Sequence, residues 1–336
     1  MGDYDVFELG DCTLQSGDML PAARLAYKTH GTLNRERSNA IVFPTHYIGT
    51  HVDNEWLIGS GKALDPQHHF IIVPDMLANG VSSSPSNTPP PHDRARFPPI
   101  TIYDNVALQH RLLTEQFGIT HIEMVVGFSM GAQQAYQWAV SYPQMVERIV
   151  PVCGSARTSP HNWVFLEGVT AALKADATWR DGWYDAPPRT GLRALGRVWA
   201  GWGHSQAFYR QHVYRDQGYT SLEDYIVRNW EESFLSHDAN DLLAMAWTWQ
   251  RADISATPGF DGNFEQALGA IRARTLVMPC ETDLYFPPED NAYEVQHIPG
   301  AQLRLIPTIW GHVAGGGANP ADAVFIDSNV KEWLAR

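Results

Sequence analysis

The chain has 336 residues and a formal net charge of −13, and only 18% of its residues are charged against roughly 25% in ordinary soluble domains. Its 44% hydrophobic content is enough for one large domain, or one domain with an inserted subdomain. No basic run is present to displace counterions from phosphates, which argues against nucleic acid as a partner, and no apolar stretch reaches the length of a membrane helix.

The first ten residues, MGDYDVFELG, are acidic and lack the apolar segment of a secretory signal. Met1-Gly2 could open a myristoylation signal, but Val6 stands where Ser or Thr is expected. Cys12, Cys153 and Cys280 are odd in number and far apart, so they form neither a disulfide framework nor a CxxC metal site. A cytoplasmic protein is the resulting expectation.

Short apolar runs rich in β-branched residues predict strands at Ala40–Phe43, Phe70–Val73, Ile122–Val126, Arg148–Val152, Thr275–Met278 and Gln302–Ile306. Helical spacing of apolar residues predicts helices over Ile102–Phe117, Met130–Ser141 and Ala321–Leu334. Strands alternating with helices imply an α/β fold with a mostly parallel sheet covered on both faces. A Pro-, Ser- and Asn-rich loop, Pro74–Pro99, is long enough to suggest function or mobility.

The alternation breaks between about Ala156 and Ala256. That stretch holds eight of the twelve tryptophans and reads as helices without strands, so it is expected to be a helical lid (156–256) inserted into a core of 1–155 and 257–336. Most of these aromatics are expected to pack the lid. A few should line a pocket, because such an insertion lies over the C-terminal edge of the sheet where ligands bind.

Between a predicted strand and a predicted helix lies Gly127-Phe128-Ser129-Met130-Gly131. A GxSxG pattern alone is weak; with a strand before it and a helix after it, it reads as a nucleophile elbow of the α/β-hydrolase fold. Glycines flank the serine because side chains there would crowd the tight turn. A serine hydroxyl needs a base, and this fold supplies an acid after a later strand and a histidine last. Asp283 follows the strand Thr275–Met278, and His312 follows Gln302–Ile306, which makes Ser129 the nucleophile, His312 the base and Asp283 the orienting acid. Glu281 and Asp290 are lesser candidates for the acid. The N–H of Met130, at a helix start, suits half of an oxyanion hole, and that of Ile48, or failing it Tyr47, suits the other half. His46 lies in the same segment, with a ring more suited to structure than to catalysis.

No metal site is expected: His68-His69 is an adjacent pair opening a strand, and neighbouring strand residues face opposite sides. Gly49–Gly61 matches neither a phosphate loop nor a dinucleotide fingerprint. No cofactor is anticipated.

Several stretches unconnected with the triad, among them Leu25-Ala26-Tyr27-Lys28-Thr29-His30-Gly31-Thr32-Leu33-Asn34, Ile58-Gly59-Ser60-Gly61-Lys62-Ala63-Leu64-Asp65 and Phe97-Pro98-Pro99-Ile100-Thr101-Ile102-Tyr103-Asp104, resemble the homoserine O-acetyltransferase family of α/β hydrolases. So do Gln134 and Trp138 of the elbow helix and the acid loop Asp283-Leu284-Tyr285-Phe286-Pro287-Pro288. The resemblance implies the same triad, an acetyl group carried on the serine, and a homodimer formed by the lid helices. The departures fall on substrate recognition. Val313 stands where the transferases have an Asp after the histidine, and Phe128 and Ala132 replace two glycines of the elbow. Arg197 resembles the carboxylate-binding arginine of the family, while the tyrosine expected seven residues later is His204. Tyr47, Phe128, Arg197 and Val313 are therefore expected around the substrate.

An ammonium group without a carboxylate partner is poorly held in a dry site, so the chain resembles the carboxylesterase members of the family more than the transferases. The expected activity is hydrolysis of small, mainly acetyl, esters. The alternative is O-acetyl transfer from acetyl-CoA to homoserine or another alcohol, and a non-catalytic binding protein is the remote third.

Overall fold

The computed structural model describes residues 3–336; Met1 and Gly2, and with them the myristoylation reading, lie outside the described residues. Eight strands form one sheet: β1 Asp5–Thr13, β2 Met19–His30, β3 Ala40–Val42, β4 Phe70–Pro74, β5 Met124–Phe128, β6 Arg148–Val152, β7 Arg274–Val277 and β8 Gln302–Leu303. Their spatial order is β1-β2-β4-β3-β5-β6-β7-β8. β1 pairs antiparallel with β2, and β2 antiparallel with β4; every later pairing is parallel.

The six predicted strands are thus present, Arg148–Val152 with the expected ends and the other five with shifted ones, while β1 and β2 were not anticipated. In β1 the ladder slips at Glu8/Gly10 and again at Gly10/Cys12, which destroys the period-2 alternation that would have marked it. The predicted Gln302–Ile306 strand shrinks to two residues plus a bridge from Ile306 to Cys280.

The central strands are buried on both faces, which is why they read as continuous apolar runs. Val125 and Ile149 face one cluster, with Trp138, Val140 and Ile122, while Val126 and Val150 face another, with Ile41, Leu276 and Trp333. Helix α1, Ile102–Arg111, begins with a reciprocal cap between Thr101 and Asp104 and ends in a wider turn at Leu112–Gln116. Helix α2, Met130–Ser141, runs directly from the end of β5 and is buried along nearly its whole length.

Between Val152 and Arg274 the chain is helical, with an isolated bridge between Arg157 and Asp253. α3, Pro160–Lys174, is capped by Ser159 and opens on a proline; α4, Arg189–Gly203, packs along it. A third cluster, holding Tyr47, Met130, Trp199, Trp249 and Tyr285, joins these helices to the carboxyl edge of the sheet.

The long loop 74–99 is pinned by its own polar side chains. Ser82 Oγ donates to Asp75 O at 2.6 Å and Ser84 Oγ to Ser82 O at 2.7 Å, while Asp241 of the helix Ala239–Gln250 accepts from both the N–H and the hydroxyl of Ser86.

Candidate active site

Ser129 sits between β5 and α2 with φ 57° and ψ −123°, a conformation that L-residues rarely adopt. The flanking glycines are sterically required. A Cβ on Gly127 would lie 2.1 Å from Gly131 O, and one on Gly131 would lie 2.6 Å from Pro44 O. The N–H of Met130, the first helical residue, has no intrahelical partner and points from the positive end of the helix dipole.

Asp283 is buried in the loop after β7. Its Oδ1 accepts from Tyr285 N at 2.8 Å and Phe286 N at 3.1 Å, which leaves Oδ2 for His312 Nδ1 at 2.8 Å. With Nδ1–H committed to that carboxylate, Nε2 presents its lone pair to Ser129 Oγ, 2.9 Å away. Ser129, His312 and Asp283, separated by more than 150 residues in sequence from first to last, therefore form one hydrogen-bonded chain. Glu281 is exposed, and neither it nor Asp290 hydrogen-bonds to His312.

His312 lies on a short turn, Gly311–Gly316, whose glycines let the loop settle against its neighbours. A Cβ at Gly315 would meet the Phe128 ring at 2.5 Å and Cys153 Sγ at 2.8 Å. Phe128, at a position where the resembled family carries glycine, thus fills the space that Gly315 leaves, with its ring 4.8 Å from that of His312. Ala132, the other departure, faces Gly154, where a Cβ would come within 2.5 Å of its own. Gly315→Ala is accordingly expected to cost about 1–3 kcal/mol through overpacking and to lower ester turnover by displacing His312. A melting curve and a turnover rate both matching wild type would contradict this packing account.

Ile48 adopts φ 58°, a strained state for a β-branched residue that costs about 1–3 kcal/mol and needs a rigid surround. Asn79 Nδ2 donates to Gly49 O at 3.2 Å, and buried Asp75 accepts from both His51 N and His51 Nδ1, at 2.9 and 2.7 Å. Among the described residues the Ile48 N–H makes no hydrogen bond. The Tyr47 side chain is fixed from both ends: its hydroxyl donates to Leu242 O at 3.2 Å and its ring stacks on Trp199. His46 packs edge-on against Phe128, and desolvation pushes its pKa down to about 4, so its ring is neutral at physiological pH.

A cavity of ≈ 220 Å³ opens above Ser129 and His312, with walls that include Tyr47, Ile48, Phe128 and Val313. Trp199, Trp230, Trp249 and Tyr285 are among its other walls, as is His46. The abundance of tryptophan between β6 and β7 pointed to these walls without identifying them, since which indoles turn toward the cavity is set by helix packing.

Arg197 corrects an expectation. It is no part of the cavity wall; its guanidinium is held by buried Glu231 and exposed Glu223, so these carboxylates, and not a substrate, satisfy it. His204 also stays outside, its Nδ1 donating to Trp310 O at 2.9 Å, and burial lowers its pKa to about 4. No Asp, Glu, Lys or Arg contributes to the wall. Among the described residues no group of three His, Cys, Asp or Glu could hold a metal ion, and no helix is long and apolar enough to cross a membrane.

A nucleophile elbow on a mostly parallel sheet, with an acid and a histidine following later strands, defines a class: the chain belongs to the alpha/beta hydrolase fold family, whose sequence profile matches residues 46–314. Within that class it stands with the esterases. It is 40% identical to a probable esterase of Corynebacterium glutamicum, covering 98% of this chain and 95% of the relative, and 38% identical to an ethyl acetate hydrolase of Pseudomonas veronii, covering 99% and 96%. The crystal structure of an acetylester hydrolase from Corynebacterium glutamicum superposes with a TM-score of 0.96 at 39% identity, over 99% of this chain and 96% of that one. Homoserine O-acetyltransferases are more distant, the enzyme of Chlorobaculum tepidum being 32% identical over 90% of this chain and 87% of its own length.

Proposed function

We propose that the protein is a serine carboxylesterase that hydrolyses small esters, acetyl esters above all, through an acyl-enzyme on Ser129. The observation that carries this reading is the Ser129–His312–Asp283 hydrogen-bonded chain at the floor of an uncharged aromatic cavity. Ser129 Oγ attacks the ester carbonyl while His312 Nε2 takes its proton, and Asp283 holds the imidazole in the tautomer that can do so. The carbonyl oxygen gains charge and is met by the N–H groups of Met130 and Ile48, both free to donate. His312 returns the proton to the departing alcohol, and water repeats the sequence to release the acid. Phe128 and Val313 act as apolar walls at this centre, and Tyr47, its ring stacked on Trp199, is a further wall. No cofactor enters the scheme.

O-acetyl transfer to homoserine is the second reading. It is disfavoured by Val313 in the wall and by an Arg197 already neutralised by two carboxylates: neither end of the amino acid would find a partner. Saturating homoserine is therefore expected neither to speed consumption of p-nitrophenyl acetate or acetyl-CoA nor to divert product from free acetate. Mainly O-acetylhomoserine in the product mixture would replace the esterase reading with the transferase one.

The helical insertion 156–256 serves as the lid over a core of 1–155 and 257–336, and its outer face is the surface for a homodimer. Trp163 and Val164, at the start of α3, are 44% and 61% exposed, which suits burial by a second copy. Light scattering on the purified protein tests this, and a monomer at micromolar concentration would exclude it. A cytoplasmic location completes the reading, since the three cysteines are buried free thiols that suit a reducing compartment.

A further inference from the structure

A second cavity, of ≈ 230 Å³, adjoins the one above Ser129. The two share four walls, Ile48, Trp199, Trp230 and Val313. The second cavity also takes in Trp310, so it is bounded by residues on both sides of His312, and at its outer end it reaches the exposed residues Gln217 and Ala318. The first cavity is lined differently. Its walls include Ser129 and His312 themselves together with Tyr47, Trp249 and Tyr285, all three buried, with the Tyr47 hydroxyl tied to Leu242 O and the Tyr285 ring 4.7 Å from that of His312.

The chemistry orients a substrate between them. When the Ser129 Oγ–carbon bond forms and the carbon–alkoxide bond breaks, the proton taken from Oγ passes from His312 Nε2 to the alkoxide oxygen. The alcohol must therefore leave on the side of Ser129 that faces His312, and the acyl group must lie on the other side. Resting on the esterase reading, we propose that the second cavity is the alcohol subsite and its exit. The enzyme then accepts acetyl esters of alcohols much longer than their acyl part. Apolar walls such as Phe234 would cover the chain of the alcohol, while the side chains of Asn229 and Ser233 at the same cavity offer polar atoms to a distal hydroxyl or ether oxygen.

Isomeric esters test this without a change in composition or hydrophobicity. Butyl acetate and ethyl butanoate contain the same atoms and differ only in which side of the ester is long. The expected result is a kcat/KM for butyl acetate higher by about tenfold or more, in line with what a misplaced methylene costs in an apolar pocket. Equal rates, or a preference for ethyl butanoate, would overturn the proposal. Turnover of neither ester nor of methyl acetate would instead remove the esterase reading beneath it.

Ser233→Trp places bulk in the second cavity and is expected to lower the ratio of kcat/KM for hexyl over methyl acetate by about tenfold. An unchanged ratio in a variant that melts like wild type would count against the subsite. Asn229→Leu, a milder change, should reduce the preference for 2-ethoxyethyl acetate over pentyl acetate by about fivefold, the worth of one hydrogen bond. An unmoved ratio there overturns the polar contact with the alcohol.

Discussion

Replacing Ser129 with alanine is expected to lower kcat/KM for an acetyl ester by about four to six orders of magnitude while leaving the melting temperature close to that of wild type. The rate loss follows because the acyl-enzyme cannot form, so only the oxyanion donors and substrate binding remain to accelerate attack by water. The fold should survive because the hydroxyl supports none of the surrounding structure: its hydrogen bond is to His312 Nε2, and the backbone bond from Ser129 N to Val152 O persists in the variant. The measurement is p-nitrophenyl acetate hydrolysis alongside a thermal melt. Hydrolysis within tenfold of wild type by a folded Ser129→Ala protein would remove the serine from the mechanism.

Asp283→Asn is expected to lower turnover by about 10⁴, the size of effect seen when a triad acid loses its charge but not its shape. The reason is the tautomer. An asparagine can offer its amide to Nδ1, which favours the proton on Nε2, and that nitrogen then has no lone pair for Ser129. Here the loss should be sharpened by the two backbone donors, Tyr285 N and Phe286 N, which already claim Oδ1 and leave the replacement amide group to face His312. Glu281→Gln should change turnover little, because Glu281 is exposed and makes no bond to the imidazole. A reversed ranking of these two variants would transfer the orienting role to Glu281.

Much of this centre could be read in one dimension because the constraints behind it are local. The elbow demands glycine two residues either side of Ser129, since the Cβ atoms would collide with Gly131 O and Pro44 O, and that demand is written in five consecutive letters. The closeness of Asp283 to Ser129 was legible through the order of strands: a parallel sheet puts the carboxyl ends of β5 and β7 on one edge, so residues just past those ends are neighbours. The antiparallel hairpin β1–β2 escaped notice because its bulges interrupt the alternation that identifies a strand.

Composition, spacing and order along the chain therefore determined the fold class, the elbow and the two residues, Asp283 and His312, that meet beside Ser129, because backbone sterics and sheet topology act over short stretches or follow from element order. Tertiary structure alone decided the rest. It turned Trp199, Trp230 and Trp249 toward the cavity and engaged Arg197 with Glu223 and Glu231. It set Ile48 in a left-handed conformation through Asn79 and Asp75, and matched Phe128 to the space left by Gly315. Each of these depends on which side chains from distant segments compete for the same volume or the same charge, and no local pattern records the outcome of that competition.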